Sequence, residues 1–197
     1  MKEIIIATKN AGKANEFRSF FKPYGIRAIS LLDLDEQIED VEETGKTFEE
    51  NAAIKAEVIS AYFNKPVVAD DSGLVIDALN GKPGIHSARY AGEEKSDEAN
   101  IDKVLAELKE VPHEKRTAHF ITALAVSIPG ETTFFKIGTC EGYITDKRYG
   151  TEGFGYDPIF TPIGYDETMA EMSAEEKNTI SHRRRAMDAL RDWLKAF

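Results

Sequence analysis

Hydrophobic and polar residues follow strand and helix periods in turn along the first part of the chain. A run of β-branched residues at 3–8 predicts a buried strand, and the apolar spacing of 14–21 predicts a helix directly after it. A second strand is predicted over 26–32. The segment 33–43 that follows reads as an acidic loop, because carboxylates dominate it.

The remaining pattern predicts further helices and strands up to the end of the chain. They are a helix over 48–63 that opens at a capping box of Thr47 and Glu50, short strands over 67–69 and 74–76, an irregular glycine-rich stretch over 81–92, a helix over 96–111, two long strands over 116–128 and 132–144 joined as a hairpin, and a last helix that Ser181 can cap. Hairpin-linked and helix-linked strands together indicate an α/β fold with a mixed sheet. We expect one domain, 1–197.

Composition restricts the class of partner. The 25 basic residues face 35 acidic ones, for a net charge of −10. Such a surface argues against binding a nucleic-acid backbone or an anionic membrane. The single Cys140 excludes an internal disulfide, and no apolar run approaches ~18 residues. We therefore expect a cytoplasmic protein.

An acidic pair, Asp70-Asp71, stands between the two short strands predicted around it. Adjacent carboxylates at a strand end are a common means of holding a hard divalent cation and activating water beside it. The alternative is that Asp70 caps a turn and Asp71 is solvated. Because the four histidines show no zinc spacing, oxygen-liganded Mg²⁺ or Mn²⁺ is favoured over zinc.

The loop between the first strand and the first helix has the composition of an anion site. Thr8, Asn10 and Lys13 surround the point at which the helix begins. Backbone N–H groups and the positive end of the helix dipole favour phosphate there. The alternative is an ordinary strand-to-helix turn with surface lysines. A P-loop is excluded, because neither Gly12-Lys13 nor Gly45-Lys46 has the required glycine upstream.

Five segments, in this order, closely resemble the inosine/xanthosine triphosphate pyrophosphatases. They are Ala7 to Lys13 with Glu16, Glu42 to Ala52 with Lys55, Ala69 to Leu74 with Pro83 to Tyr90, Gly153 to Phe160, and Glu176 to Arg183. One departure is Lys9, where many relatives carry glycine. The resemblance implies an elongated mixed β-sheet with flanking helices, two lobes around a central cleft, and a homodimer. It also implies Mg²⁺-dependent hydrolysis of ITP, dITP and XTP to the monophosphate and pyrophosphate, which clears deaminated purines.

The resemblance also assigns roles to residues. The phosphates would be held by Thr8, Lys9, Asn10, Ala11, Gly12 and Lys13. The metal would be held by Glu42 and Asp71, and Asp71 would also be the general base that activates water. The rest of the substrate would be bound by Ser72, Phe154, Gly155, Tyr156, Asp157, Lys177, His182 and Arg183. Phe154 beside glycine suits stacking on a base, although a core phenylalanine is the alternative. Lys55 reaches either phosphate or solvent. Of the three consecutive arginines that begin at Arg183, at most one can point into the site.

Two other functions remain open from the sequence. One is a pyrophosphatase on the same scaffold that prefers pyrimidine or modified-base triphosphates. The other is a nucleotide-binding sensor that does not hydrolyse, against which the carboxylates Glu42 and Asp71 speak.

Overall fold

The computed structural model describes residues 2–34 and 38–197, and within them six strands form one sheet. The strands are β1 (Lys2–Ile6), β2 (Ile26–Ser30), β3 (Val67–Ile76), β4 (Thr117–Ser127), β5 (Phe134–Ile144) and β6 (Phe160–Pro162). Their order in the sheet is β2-β1-β3-β4-β5-β6. Because β1 runs parallel to β2 and β3 whereas β6 is antiparallel to β5, the predicted mixed α/β sheet is confirmed.

Six α-helices accompany the sheet in the described ranges. They are α1 (Ala11–Phe21), α2 (Phe48–Phe63), α3 (Asp97–Glu107), α4 (Ala174–Ile180), α5 (His182–Asp188) and α6 (Arg191–Ala196). None of these helices has the length and apolar character needed to cross a membrane. The predicted acidic loop 33–43 falls partly on residues 35–37, which lie outside the described residues.

The chain divides into two compact units. Unit 1 comprises Met1–Asp71, Thr122–Gly138 and Arg184–Phe197, and unit 2 comprises Ser72–Ile121 and Thr139–Arg183. The central cleft of the resemblance stays a prediction.

Unit 1 has two hydrophobic clusters, one against each of its long helices. Phe17 and Phe21 of α1 pack with Ile4, Ile6 and Val68. Ala52, Ala56 and Ile59 of α2 pack with Ile5, Val67 and Ala69. Successive side chains of a strand point to opposite faces, so α1 covers one face of β1 and β3 and α2 covers the other. Strands covered on both sides are continuously apolar, as 3–8 is.

The structure corrects four details of the predicted elements. The strands predicted at 67–69 and 74–76 are one strand, β3, because the acidic pair and the serine and glycine after it continue in extended backbone. The final helix is broken into α5 and α6. Thr47 caps α2 through the Glu50 N–H, but the Glu50 carboxylate accepts from the Lys46 N–H, so the capping box is not reciprocal.

The helix predicted over 96–111 ends earlier, at Glu107. The buried guanidinium of Arg116 explains this end. It donates to the carbonyl oxygens of Leu108 at 2.8 Å, Val111 at 2.9 Å and Thr145 at 2.9 Å. The carbonyls of Leu108 and Val111 therefore have hydrogen-bond donors without a continuation of α3.

Candidate active site

The predicted phosphate loop of unit 1 has the geometry of a capped helix N-terminus. β1 ends at Ile6 and α1 begins at Ala11. Asn10 is the N-cap, and its side-chain oxygen accepts from the Lys13 N–H at 3.0 Å. Thr8 is buried, and its hydroxyl accepts from the Asn10 N–H at 3.1 Å. The Ala11 and Gly12 amides therefore stand in the first turn, where a helix attracts anions.

Lys9 and Lys13 make different contacts. Lys9 is exposed and donates to the Ile38 carbonyl at 2.6 Å and the Asp40 carboxylate at 2.7 Å, so it ties the loop to the acidic segment. Lys13 reaches the buried Asp70 carboxylate at 2.8 Å. Of the two lysines predicted to meet phosphate, only Lys13 lies beside the acidic pair.

The acidic pair lies within β3, and its two members face different helices. Val68 packs with the α1 cluster, and alternation along the strand places Asp70 on that same face, where Lys13 of α1 meets it. Ala69 packs with the α2 cluster, which places Asp71 toward α2. Adjacent carboxylates are tolerated inside the fold because the strand separates them and a different lysine faces each.

Asp71 is only 6% exposed and is held by residues of α2. The Asn51 amide donates to its carboxylate at 3.2 Å, and the Lys55 ammonium lies 3.9 Å away. Burial raises the pKa of Asp71 to about 6; Lys55 opposes the rise, and the Glu43 carboxylate adds to it. A carboxyl with such a pKa can take a proton close to neutrality.

Lys55 is partly buried, and its ammonium is paired with carboxylates. Its ammonium lies 2.8 Å from the Glu43 carboxylate. Burial opposes the charged form, but Asp70, Asp71 and Glu43 outweigh it and raise the pKa of Lys55 above its ordinary value. Lys55 is therefore a fixed positive charge beside Asp71.

The carboxylates of unit 1 are suited to Mg²⁺ by their chemistry, with Glu43 an addition to the predicted set. Glu43 faces Lys55 and acts electrostatically on Asp71, whereas Glu42 is exposed. Among residues 2–34 and 38–197, no three His, Cys, Asp or Glu side chains are grouped closely enough to hold a metal. Mg²⁺ usually takes one or two protein carboxylates and completes its shell with water and substrate phosphate. The residues fit that pattern.

Unit 2 contains the predicted base-binding residues, centred on the loop 153–157. The buried Asp157 carboxylate accepts from the Phe154 N–H at 3.0 Å and from the Lys177 ammonium at 2.6 Å. Gly153 has a φ of +77°, and a Cβ there would lie 2.1 Å from the Asp157 carboxylate, so only glycine fits. Asp157 thus holds the loop together from within.

Cationic side chains surround the half-buried Phe154 ring. The Lys177 ammonium lies 4.2 Å from the ring centroid and the Arg183 guanidinium carbon 5.8 Å from it. Arg183 is 2% exposed and donates to the Ser72 hydroxyl at 3.3 Å. Such contacts stabilise the position of the ring, and its role in binding a base stays a prediction.

Two other predicted residues of unit 2, His182 and Tyr156, are also buried. His182 begins α5 and stacks on Phe120, with ring centroids 4.9 Å apart and planes inclined by 15°. The Tyr156 hydroxyl donates to the Ser87 carbonyl at 2.6 Å. Of the three consecutive arginines, Arg183 is buried, Arg184 is half-buried and Arg185 is exposed.

Sequence reasoning gave no role to several residues that contact the predicted site residues of unit 1 and of unit 2. Asn51 and Glu43 lie inside a segment that the resemblance quotes, and their place in that segment was the available signal. Ser87 likewise falls in a quoted segment, and its hydroxyl accepts from the Leu74 N–H at 2.9 Å. Asp97 lies in no such segment, although its carboxylate accepts from the Gly155 N–H at 2.8 Å.

Comparisons with known proteins identify the family and the fold of this chain. The model of the Ham1 family matches residues 4–193. A dITP/XTP pyrophosphatase of Oceanobacillus iheyensis is 61% identical over 98% of both chains, and one of Halalkalibacterium halodurans is 57% identical over 98% of this chain and all of that protein.

Two solved structures extend the comparison to the fold. The Staphylococcus aureus Ham1 protein has a TM-score of 0.87 at 49% identity, with 99% of both chains covered. A HAM1 protein from Coxiella burnetii has a TM-score of 0.89 at 38% identity, with both chains covered completely. The sequence motifs, the family model and the fold agree over nearly the whole length, and the chain belongs to the Ham1 family.

Proposed function

We propose that this protein hydrolyses the triphosphates of deaminated purines, ITP, dITP and XTP, to the nucleoside monophosphate and pyrophosphate. The observation that carries the proposal is Asp71, a buried carboxyl with a pKa raised to about 6 beside the fixed charge of Lys55. Two relatives named dITP/XTP pyrophosphatase are identical to this chain at more than half of the aligned positions. The reaction removes deaminated purines from the nucleotide pool.

The triphosphate is assigned to unit 1. The amides at the start of α1 offer neutral donors, and Lys13 and Lys55 offer positive charge near Asp71. Phosphoanhydride cleavage depends more on charge neutralisation and positioning than on covalent chemistry. The net charge of −10 makes these local cations necessary for attracting an anionic substrate.

Asp71 acts as the base. It takes a proton from a water molecule as the water oxygen bonds to one phosphorus of the anhydride that joins the α and β phosphates. The bond from that phosphorus to the bridging oxygen breaks, and the leaving oxygen keeps the electron pair. Asn51 fixes the orientation of the carboxylate through its amide hydrogen bond. The products are one monophosphate and one pyrophosphate for each water consumed.

Asp71 with Glu42 or Glu43 would hold Mg²⁺, with phosphate and water completing the shell. When bound, the ion supplies charge neutralisation of the phosphates. Glu43 raises the pKa of Asp71 by like-charge repulsion, and a cation between carboxylates relieves repulsion of this kind.

The purine base of the substrate is assigned to unit 2, where the hydrogen-bond donors are cationic side chains. Hypoxanthine and xanthine present a carbonyl oxygen at the six-position, which Lys177 or Arg183 can meet with an N–H. Adenine presents an amino group, which would face these donors without an acceptor. A site built around one substrate hydrogen bond can reject the mismatched analogue by ~10⁴–10⁵.

Product analysis across nucleotides tests the proposal. The protein is incubated with ITP, dITP, XTP, GTP, ATP and dTTP plus Mg²⁺, and monophosphate and pyrophosphate are quantified separately. We expect one pyrophosphate per monophosphate and the highest kcat/KM on ITP, dITP and XTP. Formation of diphosphate and orthophosphate would contradict the proposed bond cleavage. Highest turnover of dTTP would favour the pyrimidine alternative, and binding without turnover would favour a sensor.

We also propose a homodimer, on the strength of the resemblance. Val58 and Tyr62, one turn apart on α2, are 50% and 65% exposed, which is unusual for large apolar side chains and supports an association surface. Sedimentation equilibrium measures the mass directly. A monomer of 22.0 kDa at all concentrations would refute the dimer.

A further inference from the structure

We infer that Asp97, at the start of α3, is a positioning residue for base recognition, because its carboxylate binds the backbone of the loop 153–157. The inference rests on the proposed function and adds to it a residue that does not touch substrate. Asp97 is the first residue of α3, and one carboxylate oxygen accepts from the Gly155 N–H at 2.8 Å. The two residues are 58 positions apart in sequence.

The Asp97 contact completes a set of anchors on successive loop residues. The Phe154 N–H donates to the Asp157 carboxylate, the Gly155 N–H to Asp97, and the Tyr156 hydroxyl to the Ser87 carbonyl. Gly155 has a φ of +62°, a left-handed conformation that many competing loop shapes do not share. The hydrogen bond from the Gly155 amide to Asp97 therefore selects one backbone conformation directly after Phe154.

The helix that carries Asp97 is itself fixed. Ser96 caps α3 by accepting from the Ala99 N–H at 3.2 Å. The buried Asn100 accepts from the Ala91 N–H at 2.7 Å and donates to the Ala88 carbonyl at 3.0 Å. A carboxylate in the first helical turn is also favoured by the helix dipole. Asp97 is therefore an acceptor on a rigid support, although its own side chain is exposed.

Asp97 acts on substrate through Phe154. Charge-assisted hydrogen bonds to a backbone amide are among the stronger ones in proteins. Without this bond, the loop samples other conformations, and Phe154 spends less time at its place beside Lys177 and Arg183. We expect KM for ITP to rise, because the residues of unit 1 assigned to the triphosphate and the proposed general base Asp71 are unchanged.

Three variants test the inference. Asp97→Ala removes the acceptor, Asp97→Asn keeps an acceptor oxygen of similar reach, and Asp102→Ala removes another exposed carboxylate of α3 whose partner is the Arg148 side chain. We expect Asp97→Ala to raise KM for ITP about five- to tenfold with kcat within about twofold. Asp97→Asn should recover most of the loss, and Asp102→Ala should match wild type. Partial unfolding would instead lower kcat at unchanged KM.

Amide hydrogen exchange at Gly155, measured by NMR without substrate, gives a readout that is independent of activity. We expect exchange about tenfold faster in Asp97→Ala than in wild type and Asp102→Ala. Unchanged exchange and unchanged KM in Asp97→Ala would overturn the inference. A wild-type protein that does not hydrolyse ITP would refute the proposed function alone, since the exchange result would still report the anchor.

Discussion

Replacing Asp71 by asparagine should abolish turnover and at the same time stabilise the metal-free protein. The substitution keeps size and shape, and the new amide oxygen can still accept from Asn51. It removes the proposed base and a proposed metal ligand. Loss of a general base alone lowers rates by ~10²–10⁴, so kcat on ITP should fall at least that far.

The stability gain follows from the raised pKa. An aspartate carboxyl has an ordinary pKa of 3.8, whereas the pKa of Asp71 in the fold is about 6. Between these values the folded state binds more protons, so the free energy of unfolding falls as the pH rises, and above the folded pKa the full cost remains. A difference of roughly two pKa units corresponds to about 3 kcal/mol. The asparagine variant lacks this cost.

The assay is thermal unfolding in excess EDTA at about pH 8 and about pH 4. We expect the midpoint of Asp71→Asn to exceed wild type by ~6–10 °C at the higher pH and to match it at the lower pH. Asp166→Asn, the same change at an exposed site, is the control and should alter neither activity nor midpoint. A variant that is destabilised at the higher pH, or that keeps half its turnover, would falsify the reasoning on Asp71.

Four further outcomes are expected. Lys13→Ala should raise KM for ITP at least tenfold while inosine binding, measured by calorimetry, changes little, because its ammonium, 2.8 Å from Asp70, lies beside the groups proposed to bind phosphate; equal losses would place Lys13 elsewhere. Turnover should vanish in EDTA and return with added Mg²⁺, and full activity in excess chelator would contradict a metal requirement. Arg183→Met should lower kcat/KM for ITP ~10²-fold with little change for ATP, and an unchanged preference would move base selection to the loop 153–157. Arg116→Met should reduce the free energy of unfolding in urea by about 3 kcal/mol, since three carbonyls lose a charged donor; a neutral result would show that water replaces the guanidinium.

Local pattern was sufficient for the parts of the fold that depend on neighbours in sequence. The capping signal at Thr47 predicted a helix over 48–63, and the structure confirms it as α2, with Ala52, Ala56 and Ile59 on its buried face. The split of β3 was wrong because serine and glycine favour turns only when no neighbouring strand extends them. β3 lies between β1 and β4, so sheet pairing decided the conformation of these residues.

The candidate site was predictable only as far as its motifs reach. Asp71, Lys177 and Arg183 were identified from the resemblance, and the structure buries all three. Other residues of the candidate site are contacted from distant positions: Asn51 is 20 residues from Asp71, and Asp97 is 58 from its hydrogen-bond partner Gly155. Contacts across such separations depend on tertiary packing, which spacing along one chain does not encode.

The division of Asp70 and Asp71 between two faces of β3 makes the length of this strand a fixed quantity. Because side chains alternate with a period of two, insertion or deletion of one residue between Val67 and Asp70 would turn the second carboxylate toward α1 and the first toward α2. Lys13 would then meet the wrong acid, and the apolar residues beside both would exchange faces as well. Homologous genes should therefore tolerate changes of length in the turn between β4 and β5 but none here, and a library of single-codon insertions with selection for activity should show a gap across β3.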